Sequence, residues 1–269
     1  MKWTIVLLVI PLIINSCKAF PTARVGNTLI TKKTIESLSA IESAYGAQHT
    51  PEELLLAAIQ RGIDIELAMC MGIDLSDSVL RAESIRIDRE TKAPHILMRI
   101  KQHFQHKPKD YLNTFVKPVL ARRRIEELFF YDTTLYQKTP WTKANKLLAY
   151  LQEHGRFPDS ITPIFSIQAS NPKTKNFYNF IRNIAQLEIK GEVFPHPIED
   201  KYTYFVVRCS KKKDGRPVYE GVAIPKENFY DFYWNFVDSL PITIYNKELK
   251  QHLLTRVKGT RWEKILQED

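Results

Sequence analysis

Val25-Gly26-Asn27-Thr28-Leu29-Ile30-Thr31 is the stretch from which the fold is read. Gly26-Asn27 is a bend pair, because both residues tolerate left-handed backbone. The residues around it alternate as a short strand does, and Thr31 stands where a hydroxyl caps a following helix. Helices are then expected for about a hundred residues. Thr50-Pro51-Glu52-Glu53 supplies an N-cap, a first-turn proline and two first-turn acids, opening a helix that runs to about Met71 and ends at Gly72. Leu75-Ser76-Asp77 starts another, with Val79, Leu80, Ile85 and Ile87 as its apolar positions, and Pro94 opens a third with Ile96, Leu97, Ile100 and Phe104 on one side. The longest helical pattern spans Lys109 to about Tyr136, with Leu112, Phe115, Val116, Val119 and Leu120 as its buried stripe. Pro118 should kink or divide it. Arg122–Glu126 and Arg123–Glu127 stand at the i,i+4 spacing of a solvent-facing surface. A further helix is expected from Trp141 to His154, stopped by Gly155.

Upstream, Lys2 precedes an apolar run from Trp3 to Ile14. That run is shorter than the roughly twenty residues a membrane span needs, and fits a signal-peptide core. Ile14-Asn15-Ser16-Cys17 resembles a bacterial lipobox, which implies lipidation at Cys17; ordinary cleavage after Ala19 is the alternative. Both put residues 20–269 outside the cytoplasm. Downstream, Lys211-Lys212-Lys213-Asp214-Gly215-Arg216 reads as the turn of a hairpin whose second strand is Val218 to Ile224. Helix returns after Pro225, where Phe229, Tyr230, Phe232, Tyr233, Trp234 and Phe236 crowd more rings than one helix face buries. Such rings either pack inside their own domain or form an exposed surface for apolar polypeptide, with Phe229, Tyr230, Tyr233 and Phe236 as the candidates. A last amphipathic helix runs from Asn246 to Val257 with Leu249, Leu253 and Leu254, followed by Trp262.

Composition narrows the chemistry. Of 269 residues, 44% are hydrophobic and 26% charged, which is an ordinary globular balance. The net charge of +9 suits anionic lipid or acidic polypeptide. Export argues against nucleic acid as a partner, and the runs Arg122-Arg123-Arg124 and Lys211-Lys212-Lys213 read as solvated faces. Beyond Cys17 only Cys70 and Cys209 remain, too few for a disulfide framework; Cys70 in an apolar helical run suits a buried thiol, and a single Cys70–Cys209 bridge in an oxidising compartment is the alternative. His95, His103 and His106 lack the carboxylate or cysteine that would complete a metal site. No hydrolase, metalloprotease or phosphate-loop motif is present, so neither cofactor nor metal is expected.

The opening Val25–Thr31, with Ile65-Glu66-Leu67-Ala68 leading to Gly72-Ile73-Asp74-Leu75-Ser76-Asp77, resembles the N-terminal helical domain of SurA-type periplasmic chaperones and PrsA-like foldases. Tyr111, Lys117-Pro118, Leu120 and Leu128-Phe129 resemble the long helix closing that domain. The resemblance covers about residues 24–137. It implies a following parvulin-type prolyl isomerase domain, and Lys146–Phe157 and Leu187–Val207, with Gly191-Glu192-Val193 and Pro197-Ile198-Glu199, resemble parts of one. The family's glycine-rich turn is missing, since residues 158–176 hold no glycine. Tyr204 stands where the family has a histidine, and His95-Ile96-Leu97 mimics its first strand only in the helical half. No catalytic residue is carried over.

The expectation is an α+β, mostly α protein in four stretches: a leader over 1–19, a SurA-like helical domain over 20–138, a degenerate parvulin-like domain over 139–225, and C-terminal helices over 226–269. The last of these are expected to pack Leu249, Leu253 and Leu254 back on segment 54–70. The implied function is an ATP-independent chaperone for unfolded or nascent envelope polypeptides. It would sit on the periplasmic side of a bacterial envelope, held by its lipid anchor, or be soluble or secreted. The alternatives are an active prolyl isomerase, which is the one enzyme activity in view, and a lipoprotein scaffold of one envelope complex.

Overall fold

The computed structural model describes residues 21–161, 164–168, 173, 175–185, 192–213 and 216–267. The leader with Cys17, Gly191 and the Asp214-Gly215 bend lie outside those residues. The protein is mixed α+β and mostly helical. A hairpin, β1 (Pro21–Val25) and β2 (Thr28–Thr31), leads into α1 (Lys32–Ala44), α2 (Pro51–Cys70), α3 (Asp77–Glu90) and α4 (Pro94–His103). The short α5 (Pro108–Tyr111) passes through a π turn at Leu112–Val116 into α6 (Lys117–Tyr131), and α7 (Lys138–His154) follows. Then come β3 (Ile164–Gln168), α8 (Lys175–Ala185), β4 (Ile198–Glu199), β5 (Thr203–Lys213) and β6 (Arg216–Pro225). The chain closes with α9 (Phe229–Ser239), β7 (Ile242–Ile244), α10 (Lys247–Arg256) and α11 (Arg261–Gln267).

Two compact units form: Met1–Glu66 with Ser84–Val116 and Leu240–Asp269, and Leu67–Glu83 with Lys117–Ser239. Helix α9 thus belongs to the second unit, while β7, α10 and α11 belong to the first.

In the first unit, Gly26 turns the hairpin at φ +52°. A Cβ there would lie 2.8 Å from a carboxylate oxygen of buried Glu66, which accepts the Thr28 hydroxyl at 2.6 Å. Glycine is required on both counts. Strand β7 adds antiparallel to β1, giving the order β2-β1-β7, and the Gly26 N–H donates to Pro241 O at 2.9 Å. Thr31 caps α1 in a reciprocal box with Thr34, and Thr50 and Glu53 do the same for α2. Before Pro118, which has no N–H to give, Thr114 O is satisfied by Arg61 Nη1 at 3.2 Å. Asn246 caps α10, whose Leu253 is fully buried, with Val257, Ile265 and Leu266 buried after it. At the first turn of α2, Glu53 pairs with Arg256 of α10 and Glu52 lies 3.5 Å from the His252 ring. Leu249 and Leu254 are half-buried.

The second unit is built on an antiparallel sheet of order β3-β6-β5-β4. Strand β5 explains its own sequence: Tyr204 and Val206 face a core with Ala144, Leu147, Leu148 and Leu151 of α7. Phe205, Val207 and Cys209 face the other, with Tyr178 and Ile181 of α8. A strand covered on both faces carries an unbroken apolar run. The Arg pairs expected on α6 form, and Arg123 also reaches Glu83, whose side chain is 4% exposed.

Three local expectations are corrected. The long helix ends at Tyr131, because the Asp132 carboxylate accepts from Thr134 N and Leu135 N and turns the chain. Val119 is 39% exposed, on the outer side of α6. Cys70 is exposed at the C-terminal end of α2, where Gly72 (φ +72°) breaks the helix; Cys209 is the buried thiol, and no disulfide joins them.

Candidate functional site

Helix α9 starts where Asn228 Oδ1 accepts the Tyr230 N–H at 2.9 Å. Its rings divide by face. Phe229 and Phe232 turn inward, with centroids 5.2 and 4.8 Å from Phe129, and Phe232 meets Tyr136 at 5.4 Å. The Arg122 guanidinium lies over Phe229 at 4.9 Å and over Tyr233 at 5.4 Å. Outward, Tyr230 is 60% exposed and meets the half-buried Trp234 edge-on at 5.9 Å, and Tyr233 meets Trp234 at 6.0 Å. Of the four sequence candidates, Phe229 belongs to the inner cluster, Tyr230 faces solvent, and Tyr233 and Phe236 are half-buried. Trp234 completes the outer face one turn after Tyr230, a spacing the sequence does contain.

The base of α9 is held by side chains that satisfy the end of α6. Gln137 is fully buried; its Nε2 donates to Phe129 O at 2.7 Å and its Oε1 accepts the Glu227 N–H at 2.9 Å. Lys226 Nζ donates to Phe130 O at 2.7 Å and to Glu199 Oε1 at 2.6 Å. It lies 4.8 and 4.7 Å from the Tyr131 and Tyr204 ring centres. Burial, with the Glu199 charge, pushes the Tyr204 phenol above its ordinary value, so it stays neutral. Tyr204, at the position where the resemblance would place a histidine, is fully buried.

Two further features bear on ligand chemistry. The Arg122-Arg123-Arg124 run is answered by Glu126, Glu83 and Glu127, so its charge is largely compensated. A groove of about 570 Å³ runs along α4, lined by Asp88 and Thr91 on one side and by Pro94, Leu97, Met98 and Gln102 among others on the helix. Helix α4 also holds His95, Ile96 and Leu97.

Among the described residues, no group of three or more His, Cys, Asp and Glu is placed to hold a metal, and no helix is long and apolar enough to cross a membrane. No protein-family model, curated protein or solved structure matches the chain.

Proposed function

We propose that this is an exported, ATP-independent chaperone or foldase-like protein that shields apolar segments of unfolded envelope polypeptides. The observation that carries the reading is the outer face of α9, where Tyr230, Tyr233 and Trp234 stand partly exposed on a helix fixed from beneath by Phe129, Phe130 and Arg122. Rigid aromatic rings give large contact area for little lost side-chain entropy, and rings already locked by neighbours lose least. The resemblance of the sequence of residues 24–137 to SurA-type chaperones supports the same reading. The isomerase alternative draws nothing from Tyr204, which the core encloses. Anchoring through Cys17 belongs to the proposal as its membrane partner.

The test is the double substitution Tyr230→Ala with Trp234→Ala. Both side chains are partly solvent-facing, so the fold should survive, which near-ultraviolet circular dichroism checks. Suppression of client aggregation should weaken severalfold. Unchanged suppression by a folded variant would remove α9 as the binding surface.

A further inference from the structure

Helix α4 carries two strips side by side, because residues four apart share a helix face. Pro94, Met98 and Gln102 line the groove, with Leu97 as its buried floor, and Met98 is 57% exposed. His95, Arg99 and His103 form the next strip. The Asp88 carboxylate on the opposite wall is occupied by Lys101 at 2.6 Å. Lys92, His95, Arg99 and His103 are exposed and, among the described residues, meet no carboxylate. Residues 84–116 hold seven Lys and Arg against three Asp and Glu, and those three acids are taken by Lys101, Arg86 and Lys33, so Lys92 and Arg99 are left as a positive border beside the groove. It is shallow and open, and Thr91, Gln102 and Gln105 along it offer the donors and acceptors that an extended peptide backbone needs. A methionine at its lip adapts to differing apolar side chains.

We propose that this groove binds extended acidic-apolar polypeptide: apolar side chains seat on Pro94, Leu97 and Met98 while flanking carboxylates meet Arg99 and its neighbours. The site lies on a different unit from α9. The choice of polypeptide as the ligand rests on the chaperone reading, whereas the preference for acidic sequence rests on the charges of α4. The hydroxyl of Thr91 and the amides of Gln102 and Gln105 along the groove favour a strand of polypeptide, whose backbone they can pair, over an anionic lipid surface, which takes a broad apolar helix face.

The experiment measures fluorescence anisotropy of two labelled peptides with the same apolar core, one flanked by Glu and one by Lys, on purified residues 20–269. The Glu-flanked peptide should bind at least about tenfold tighter, with the margin shrinking in high salt. Arg99→Glu should remove most of that margin, Arg99→Gln part of it, and Met98→Ser should weaken both peptides. The double variant of Tyr230 and Trp234 should keep the preference while losing aggregation suppression; suppression left unchanged in that variant, with the Glu-flanked peptide still preferred, would mark failure of the α9 reading alone. Equal binding of the two peptides, or binding unmoved by Arg99→Glu and Met98→Ser, would overturn the proposal. Binding to phosphatidylglycerol vesicles that is lost in Arg99→Glu, with no binding of the Glu-flanked peptide, would overturn it in favour of a membrane surface.

Discussion

Lys226 is a cation whose side chain is 1% exposed, and its place is set by the end of a helix. The last four carbonyls of α6 have no partner within the helix. Gln137 takes that of Phe129 and Lys226 that of Phe130, the latter adding a positive charge at the negative end of the helix dipole. Lys226→Met would leave Phe130 O and the Glu199 carboxylate without this partner, and should cost about 2–4 kcal/mol in urea unfolding. A variant as stable as the parent would mean the cap is dispensable. Glu126 gives a pH signature. Burial alone would raise its carboxyl, but Lys201 Nζ at 2.8 Å and Arg122 Nε at 3.0 Å outweigh it and hold the group below its ordinary 4.5. Its contribution to stability is therefore full above about pH 4.5 and is lost as pH falls through the lower folded value. Between pH 5 and pH 3 the parent should lose more stability than Glu126→Gln; parallel curves would contradict this. Residues of this kind divide by reach. Thr31, Thr50, Gly72 and Gly155 act on neighbours within a few positions, and the sequence shows them. Lys226 meets a carbonyl 96 positions earlier, which no local pattern encodes.

At the scale of elements, helices were legible where an apolar stripe meets a start or stop signal: Thr50-Pro51 and Gly72 around α2, Pro94 at the start of α4, Gly155 at the end of α7. The hairpin β5–β6 was legible from its apolar runs and the polar stretch between them. Among the elements that escaped, three did so for separate reasons. The π turn at Leu112–Val116 keeps a helical pattern while shifting its register, so the sequence reads as one long helix to which only Pro118 objects. Helix α8 is built from Asn and aromatic residues, which are middling helix formers, and it follows an Asn171-Pro172 pair that reads as loop. Strand β7 is three residues long, and its partner β1 lies at the other end of the chain. That pairing makes a prediction. Ending the chain at Tyr245 keeps β7 but removes buried Leu253, Val257, Ile265 and Leu266. At roughly 1.5–3 kcal/mol each, their loss should lower the melting temperature of the unit by more than about 10 °C. An unchanged melting curve would mean that α10 and α11 add nothing to this core. The aromatic site of α9 was half legible: ring density was visible, but which rings turn inward depends on Phe129, Phe130 and Arg122, a hundred residues upstream in sequence.

Over the whole molecule, the proposal of polypeptide binding rests on two kinds of surface: a rigid aromatic face on one unit and a cation-bordered groove on the other. Each would hold a client by contacts that are individually weak and quickly reversed, which suits a chaperone that must release what it binds. The central claim is holding without isomerisation, because the histidine pair and glycine turn of a parvulin site are missing from the sequence and Tyr204 is enclosed. The most direct measurement follows an unfolded outer-membrane-type protein by light scattering, and a reporter limited by proline isomerisation by fluorescence, each with purified residues 20–269. The account predicts that near-stoichiometric protein suppresses scattering and leaves the slow refolding phase at its uncatalysed rate. A slow phase accelerated well above background, or scattering that proceeds as in buffer, would contradict it.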